Sequence, residues 1–260
     1  MSIQTVTADQ ASDFLRDAQL PVPRSGDERG IAEATQPKFD SANDESVVVG
    51  SGMVSFKSGM SQPRRAAVAN SLLLAQLVLK KQGVTPESPN WFHEYASVLA
   101  NLGWLVETSD MSDYVTSDDG LDVHKAIEAV ALALLGPGAL AAAAPLIKIA
   151  LDALASMNSN TPWITLFNRE TKSVNTASFQ LALTDSAAED KLTVSMMAFS
   201  LNSSMDITQV LFFKVSKNDA KLRQVATKAE INTSVLDSVQ DTLRDKVTAF
   251  TTNYLSEVKL

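Results

Sequence analysis

Cysteine is absent from the 260 residues, histidine occurs twice, and aromatic residues make up only 6%. Without cysteine there can be no disulfide framework, no thiolate nucleophile, no cysteine-ligated zinc or iron–sulfur centre and no S-acylated side chain. The two imidazoles, His93 and His124, lack a helical i,i+4 partner histidine and cannot fill a typical zinc shell. Neither a metal nor a cofactor is therefore expected, and both histidines are assigned surface or packing roles. Positive charge is scarce: 22 Lys and Arg against 30 Asp and Glu leave a formal charge of -8. That balance argues against a nucleic-acid partner, which needs clustered Lys and Arg across a face. The first residues carry neither a basic nor an apolar region of the signal-peptide kind, so no cleavable secretory signal is expected.

Catalytic motifs are missing as well. No Gly-x-Ser-x-Gly elbow and no phosphate-cradling Gly-Lys-Ser or Gly-Lys-Thr occurs. Gly50-Ser51-Gly52 follows a valine run but has no third glycine and no following helix, so a bulge or turn is expected rather than a dinucleotide loop. Carboxylate pairs such as Asp118-Asp119 fall in expected turns. No catalytic residue is nominated, and an enzyme is not expected; a hydrolase with an unrecognised Ser, His and Asp cluster is the reading that a structure has to test.

What is present is a 45% hydrophobic complement, enough for a sizeable core. Up to Ser46 the chain holds nine acidic and four basic residues, so -5 of the charge lies there. Punctuated by Pro21, Pro23, Gly26, Gly30 and Pro37, residues 1–46 are expected to form a flexible acidic leader, with room for a short amphipathic turn over 11–20. A single domain is expected over 47–260. Val47 to Val49 and Met53 to Phe56 suit one buried strand interrupted by a glycine bulge. Ser61 and Pro63 open a helix that Gly83 closes, and Ser88-Pro89 opens a second, carrying Trp91, Tyr95, Val98, Leu99 and Leu102. Trp104 to Val106 and Tyr114-Val115 look extended.

From His124 to Met157 the chain is helical and very apolar. No charge lies between Glu128 and Lys148, and 129–147 would extend ~28 Å as one helix. Gly136-Pro137-Gly138 should break it into a hairpin, and Pro145 should bend or restart the second half. Base rates favour burying such a hairpin at the centre of the fold; the other reading is insertion into a bilayer, as in colicin-type pores. Four β-rich runs follow, 163–167, 177–183, 191–201 and 207–216, with turns short enough for antiparallel neighbours. The last two are apolar on both alternating faces, as a sheet covered on both sides requires. Lys214, Lys217, Lys221, Arg223 and Lys228 make a basic segment, expected as a solvated loop, with an anionic headgroup contact as the sharper reading. A last helix is expected over 234–256, capped by Ser234.

Several segments carry a resemblance. Gln209-Val210-Leu211-Phe212-Phe213-Lys214-Val215 resembles the Gln-Val-Leu-Phe-Phe strand of the Cyt-type cytolytic δ-endotoxins, and Trp163-Ile164 followed by Arg169-Glu170-Thr171 resembles their first long strand. The order of helices and strands is similar over residues 60 to 230. The superfamily includes the virulence factor Evf and the mushroom toxin volvatoxin. The resemblance implies an α/β single-domain Cyt-like fold, an antiparallel β-sheet flanked by α-helical hairpins on both sides. It further implies a soluble, non-enzymatic toxin, made in a bacterial or fungal cytoplasm and acting at a target membrane.

Membrane phospholipid is then the expected partner, with homo-oligomers on or before the membrane. The expected membrane-interacting residues are Val194, Met196, Met197, Phe199, Leu201, Val210, Leu211, Phe212 and Phe213. Headgroup contact falls to Lys214, Lys217, Lys221 and Arg223, and proteolytic activation to Arg24, Arg29 or Lys38. Runs of ten residues apolar on both faces could cross a bilayer as tilted strands. Evf carries a fatty acid on a buried cysteine, which a cysteine-free chain cannot copy. The alternative is a non-lytic binding module for a fatty acyl chain or other apolar ligand held between helices and sheet.

Overall fold

Three strands of twelve or thirteen residues form the middle of a mixed sheet. A computed structural model describes residues 6–23, 38–86, 88, 90–107, 110–116, 120–155, 169–171, 176–188, 191–204, 215–216 and 219–257. In chain order its elements are α1 (Ala8–Asp17), β1 (Glu45–Val49), β2 (Gly52–Phe56), α2 (Gln62–Gln82), α3 (Trp91–Ala100), β3 (Trp104–Val106), β4 (Ser112–Asp113), β5 (Gly120–Leu121), α4 (Val123–Ala155), β6 (Thr176–Ala188), β7 (Lys191–Ser203), β8 (Val215–Ser216), β9 (Ala220–Ile231), α5 (Thr233–Tyr254) and β10 (Leu255–Glu257). The main sheet runs β10-β1-β2-β6-β7-β9-β3, with β4 also on β9. Every pairing in it is antiparallel except β2 with β6. The fold is therefore α/β, with a mostly antiparallel sheet between two helical layers.

One layer contains α1, α2, α3 and α5. It shares a core with Val47, Val49, Val54 and Phe56 of the short strands and with Val194, Met196, Ala198, Val225 and Ile231 of the long ones. The other layer is α4, which packs on Val48, Met53, Phe179, Leu181, Met197, Phe199, Leu201 and Leu222. The layers are staggered along the long strands. On β9 the odd-numbered Val225, Thr227, Ala229 and Ile231 are buried under the first layer, whereas the even-numbered Ala220 and Leu222 are buried under α4.

That stagger explains the largest departure from the sequence reading. Lys221, Arg223 and Lys228 of the basic segment, expected on a solvated loop, lie on a central strand, β9, which is paired over its length with β7. Its apolar alternation changes phase at Gln224, which hides the period-two signal. Three smaller corrections follow. Val47 to Phe56 is a hairpin rather than one bulged strand: Val49 pairs with Gly52, leaving Gly50 and Ser51 as a two-residue turn. Gly50 needs its positive φ of 54°, and a Cβ there would lie 2.2 Å from the Gln76 Oε1 that closes the turn. The extended pair near Tyr114 is Ser112–Asp113, and α5 is capped by Asn232, whose side chain accepts from the Val235 N–H, rather than by Ser234.

Residues 8–17 of the acidic leader form α1, held by a Thr7/Gln10 capping box, with Ala11 and Leu15 fully buried against the first layer. This part of the leader belongs to the core. The amphipathic pattern was short enough to be read as a turn, and packing on α5 turns it into a helix. The expected strand 163–167 lies outside the described residues. Of 207–216 only Val215–Ser216 is described, paired with β5 in a separate two-stranded sheet.

Candidate functional site

Alanine and leucine dominate α4, so its helical state follows from intrinsic preference alone. Asp122 caps the start, its Oδ1 accepting from the Lys125 N–H at 3.1 Å. The helix is broken at one residue, Gly136, with φ 76° and ψ 167°, a conformation that only glycine adopts readily. Pro145 lies within the second arm, which continues past it without a break, so of the expected bend or restart the restart does not occur. The arms fold back on one another: Val130 and Ala131 of the first and Leu146 and Ile147 of the second are buried in one cluster with Phe179 and Phe199.

Beyond those anchors the hairpin is only partly covered, with Leu134, Leu135, Leu140 and Ala143 half-buried against the same cluster. From Leu132 to Pro145 no residue is buried, and Leu132 is 43% exposed. Between the arms lies an apolar cleft of about 610 Å³, lined by Leu132, Leu140, Ala144, Ile147 and Leu151. Its rim carries Lys125, Glu128, Lys148 and Asp152, the last two forming an i,i+4 ion pair. Among the described residues α4 is the one helix long and apolar enough to cross a membrane, and 22% of its most apolar 18-residue stretch is buried. A core helix would be mostly enclosed. The expectation of a buried central hairpin is met only at the bases of the arms, where Val130, Ala131, Leu146 and Ile147 are buried.

The nominated residues of β7 sit in the middle of the fold. Val194, Met196, Met197, Phe199 and Leu201 are each 4% exposed or less, the first two under α2 and α5 and the other three under α4. Val210, Leu211, Phe212, Phe213, Lys214, Lys217, Arg24 and Arg29 lie outside the described residues. Lys221 and Lys38 are exposed. Arg223 ties the strand edge together, its Nη2 donating to the Met111 carbonyl at 3.0 Å and its Nε 3.8 Å from Asp113. Among the described residues of the basic segment, Lys221, Arg223 and Lys228 are spread along a strand rather than gathered on a loop. Sequence reasoning passed over the four charged residues at the rim, Lys125, Glu128, Lys148 and Asp152. Their signal was available, since they bracket the uncharged run at both ends.

Polar chemistry is concentrated in the other layer, where it serves attachment. Arg65, fully buried, donates to Glu45 at 2.7 Å and to the carbonyls of Met60, Asn43 and Lys57, and lies over the Phe56 ring. Gln76 accepts from the Ser51 N–H at 2.9 Å and donates to the Val49 carbonyl at 2.9 Å. Lys80 joins Glu170 at 3.1 Å and the Tyr254 hydroxyl at 3.2 Å. Burial raises the Tyr95 phenol well above its ordinary range, so it stays neutral and its hydroxyl points at the Leu72 carbonyl. His93 meets Asp110 at the surface at 2.9 Å. Among the described residues no group of three His, Asp or Glu is placed to hold a metal.

No family model and no curated protein matches the sequence. Among solved structures the chain is similar to a δ-endotoxin, at 10% identity and a TM-score of 0.44 over 82% of this chain and 91% of that one. Activated Cyt2Ba from Bacillus thuringiensis subsp. israelensis is similar at 10% identity and a TM-score of 0.34, over 59% and 78% of the two chains. The Evf virulence factor is similar at 10% identity and a TM-score of 0.31, over 82% and 85%.

Proposed function

We propose that this protein is a non-enzymatic, membrane-active toxin or virulence protein that binds phospholipid directly and disrupts the bilayer. The observation that carries this reading is the α4 hairpin, an apolar helical pair without a charge from 129 to 147, buried at its base and half-covered or exposed from 132 to 145. Water is a poor environment for such a surface, and apolar patches of this kind mark interaction sites. The hairpin makes first contact. Strands β6, β7 and β9 have the length to cross a bilayer, but they become available only after both helical layers leave the sheet. Cleavage at Arg24, Arg29 or Lys38 then loosens the first layer by severing α1 from β1, and lytic assemblies form from several copies. Release of a trapped dye from phospholipid vesicles, before and after limited proteolysis, tests the proposal. Intact vesicles in every lipid composition would sink it.

A second reading has its own support. The apolar cleft between the arms, with lysines at its rim, suits a single acyl chain with an anionic head. In this reading the ligand would lie between two helices rather than between helices and sheet. Lipid extracted from the purified protein, identified by mass spectrometry and displaced by a fluorescent fatty acid, would favour the binding module over the lytic protein.

A further inference from the structure

The dimensions and charge of the hairpin say more than that it contacts lipid. From Ala129 to Gly136 the first arm rises ~10 Å, and from Pro137 to Ile147 the second rises ~15 Å, whereas the hydrocarbon core of a bilayer is ~30 Å thick. Folded as it stands, the uncharged part reaches half-way. Over these 19 residues there is no polar side chain at all, only Ala, Val, Leu, Ile, Gly and Pro. A protein interface of useful size carries hydrogen bonds and a polar rim. Over 129–147 this surface has no side chain to form such bonds, its four charged residues lying only at the base of the arms, and acyl chains ask for none.

The break in the helix suits the same environment. It is confined to Gly136, and Pro137 at the start of the second arm has no N–H to leave without a partner. The rim has two cations, Lys125 and Lys148, and two anions, Glu128 and Asp152, at the level where the arms enter the protein. It is neutral, and the chain as a whole carries -8. Such a molecule complements a zwitterionic lipid surface, and an anionic one would repel it.

We infer that the hairpin is a one-leaflet anchor for zwitterionic phospholipid: the tip 132–145 enters as a preformed helix-turn-helix, the rim stays at the headgroups, and the sheet remains folded above the membrane in this docked state. The inference rests on the membrane-active reading and specifies its first step. It excludes a straightened α4 crossing the bilayer, because that needs Gly136 to leave its left-handed conformation.

The absence of cysteine makes the test direct. Ala139→Cys at the tip, Ala129→Cys near the rim and Ser97→Cys on α3 each accept one environment-sensitive fluorophore in the full chain. Phosphatidylcholine vesicles carry quenchers on the headgroup or along the acyl chain. The label at 139 should be quenched most by mid-chain quenchers, the label at 129 by headgroup quenchers, and the label at 97 by neither. A water-soluble quencher trapped inside the vesicles should not reach 139. Ala142→Lys, at an exposed position, should lower vesicle partitioning at least tenfold while leaving the unfolding midpoint unchanged. Adding phosphatidylglycerol should leave binding unchanged or weaken it.

Access of the trapped quencher to 139 would overturn the inference in favour of a spanning helix. Vesicle leakage without any depth-dependent quenching at 139 would overturn it while leaving the membrane-active reading intact. A requirement for anionic lipid, or a blue shift at 139 on concentrating the protein alone, would assign the tip to another surface or to a second copy. Neither binding nor leakage in any lipid would remove both.

Discussion

Helices α2 and α4 are both rich in alanine and leucine, yet α2 is enclosed on nearly every side while α4 has fully buried residues only in its two end stretches. The difference lies in what holds each to the sheet. Around α2 polar groups act as fasteners: Arg65 at one end fixes the β1–β2 hairpin, Gln76 closes its turn and Lys80 meets Glu170 and Tyr254. Around α4 the uncharged run has no side-chain fastener to the sheet, since it has no side chain that could form one. A helix meant to stay is fastened by directional bonds, whereas a helix held by apolar packing at its base alone leaves its remainder free for another apolar phase.

Mutation should separate the two layers. Arg65→Ala strands the Glu45 carboxylate and three carbonyls, and unfolding in urea should show a loss of about 3–5 kcal/mol. Next in size, Leu73→Ala on α2 should cost about 3 kcal/mol and Leu132→Ala on the hairpin less than about 1 kcal/mol, because the first leaves a cavity and the second does not. Equal losses would erase the contrast between the layers. Gly50→Ala forces a positive φ and meets Gln76, and should cost more than about 1 kcal/mol. In the Gln76→Ala background that cost should fall, and a double-mutant cycle measures the coupling. Asn232→Ala should cost about 1 kcal/mol by removing the cap of α5.

The smallest effect is a pH dependence. Hydrogen bonds from the Asn43 side chain and the Ala42 N–H hold the Asp40 carboxyl below its usual range. Its contribution to the turn before β1 is present above the ordinary carboxylate pKa and is lost as pH falls through the lowered one. Asp40→Asn should flatten the acid limb of the unfolding midpoint in that window, and an unchanged limb would assign it to other carboxylates.

Much of the first layer was legible in the sequence. Ser61, Pro63 and Gly83 bracket α2 within a residue of its observed ends, because caps and breakers act locally. The break at Gly136 was legible for the same reason. Strand β9 was not: its two halves bury opposite faces, and which face is buried depends on helices far away in sequence. The helix α1 was missed because ten residues in an acidic leader form a stable helix only when α5 offers Ala11 and Leu15 a surface. The nominated strand residues were recognised as apolar, but sequence could not tell covered from available.

Composition and spacing by themselves determined that this chain lacks thiol chemistry and carries an uncharged, 19-residue apolar run with a turn in it. They also determined most helix ends, all of which depend on near neighbours. Only the tertiary structure decided where that run goes. Burial is a property of what lies opposite, and the fold buries Val130, Ala131, Leu146 and Ile147 while leaving 132–145 half-covered or exposed.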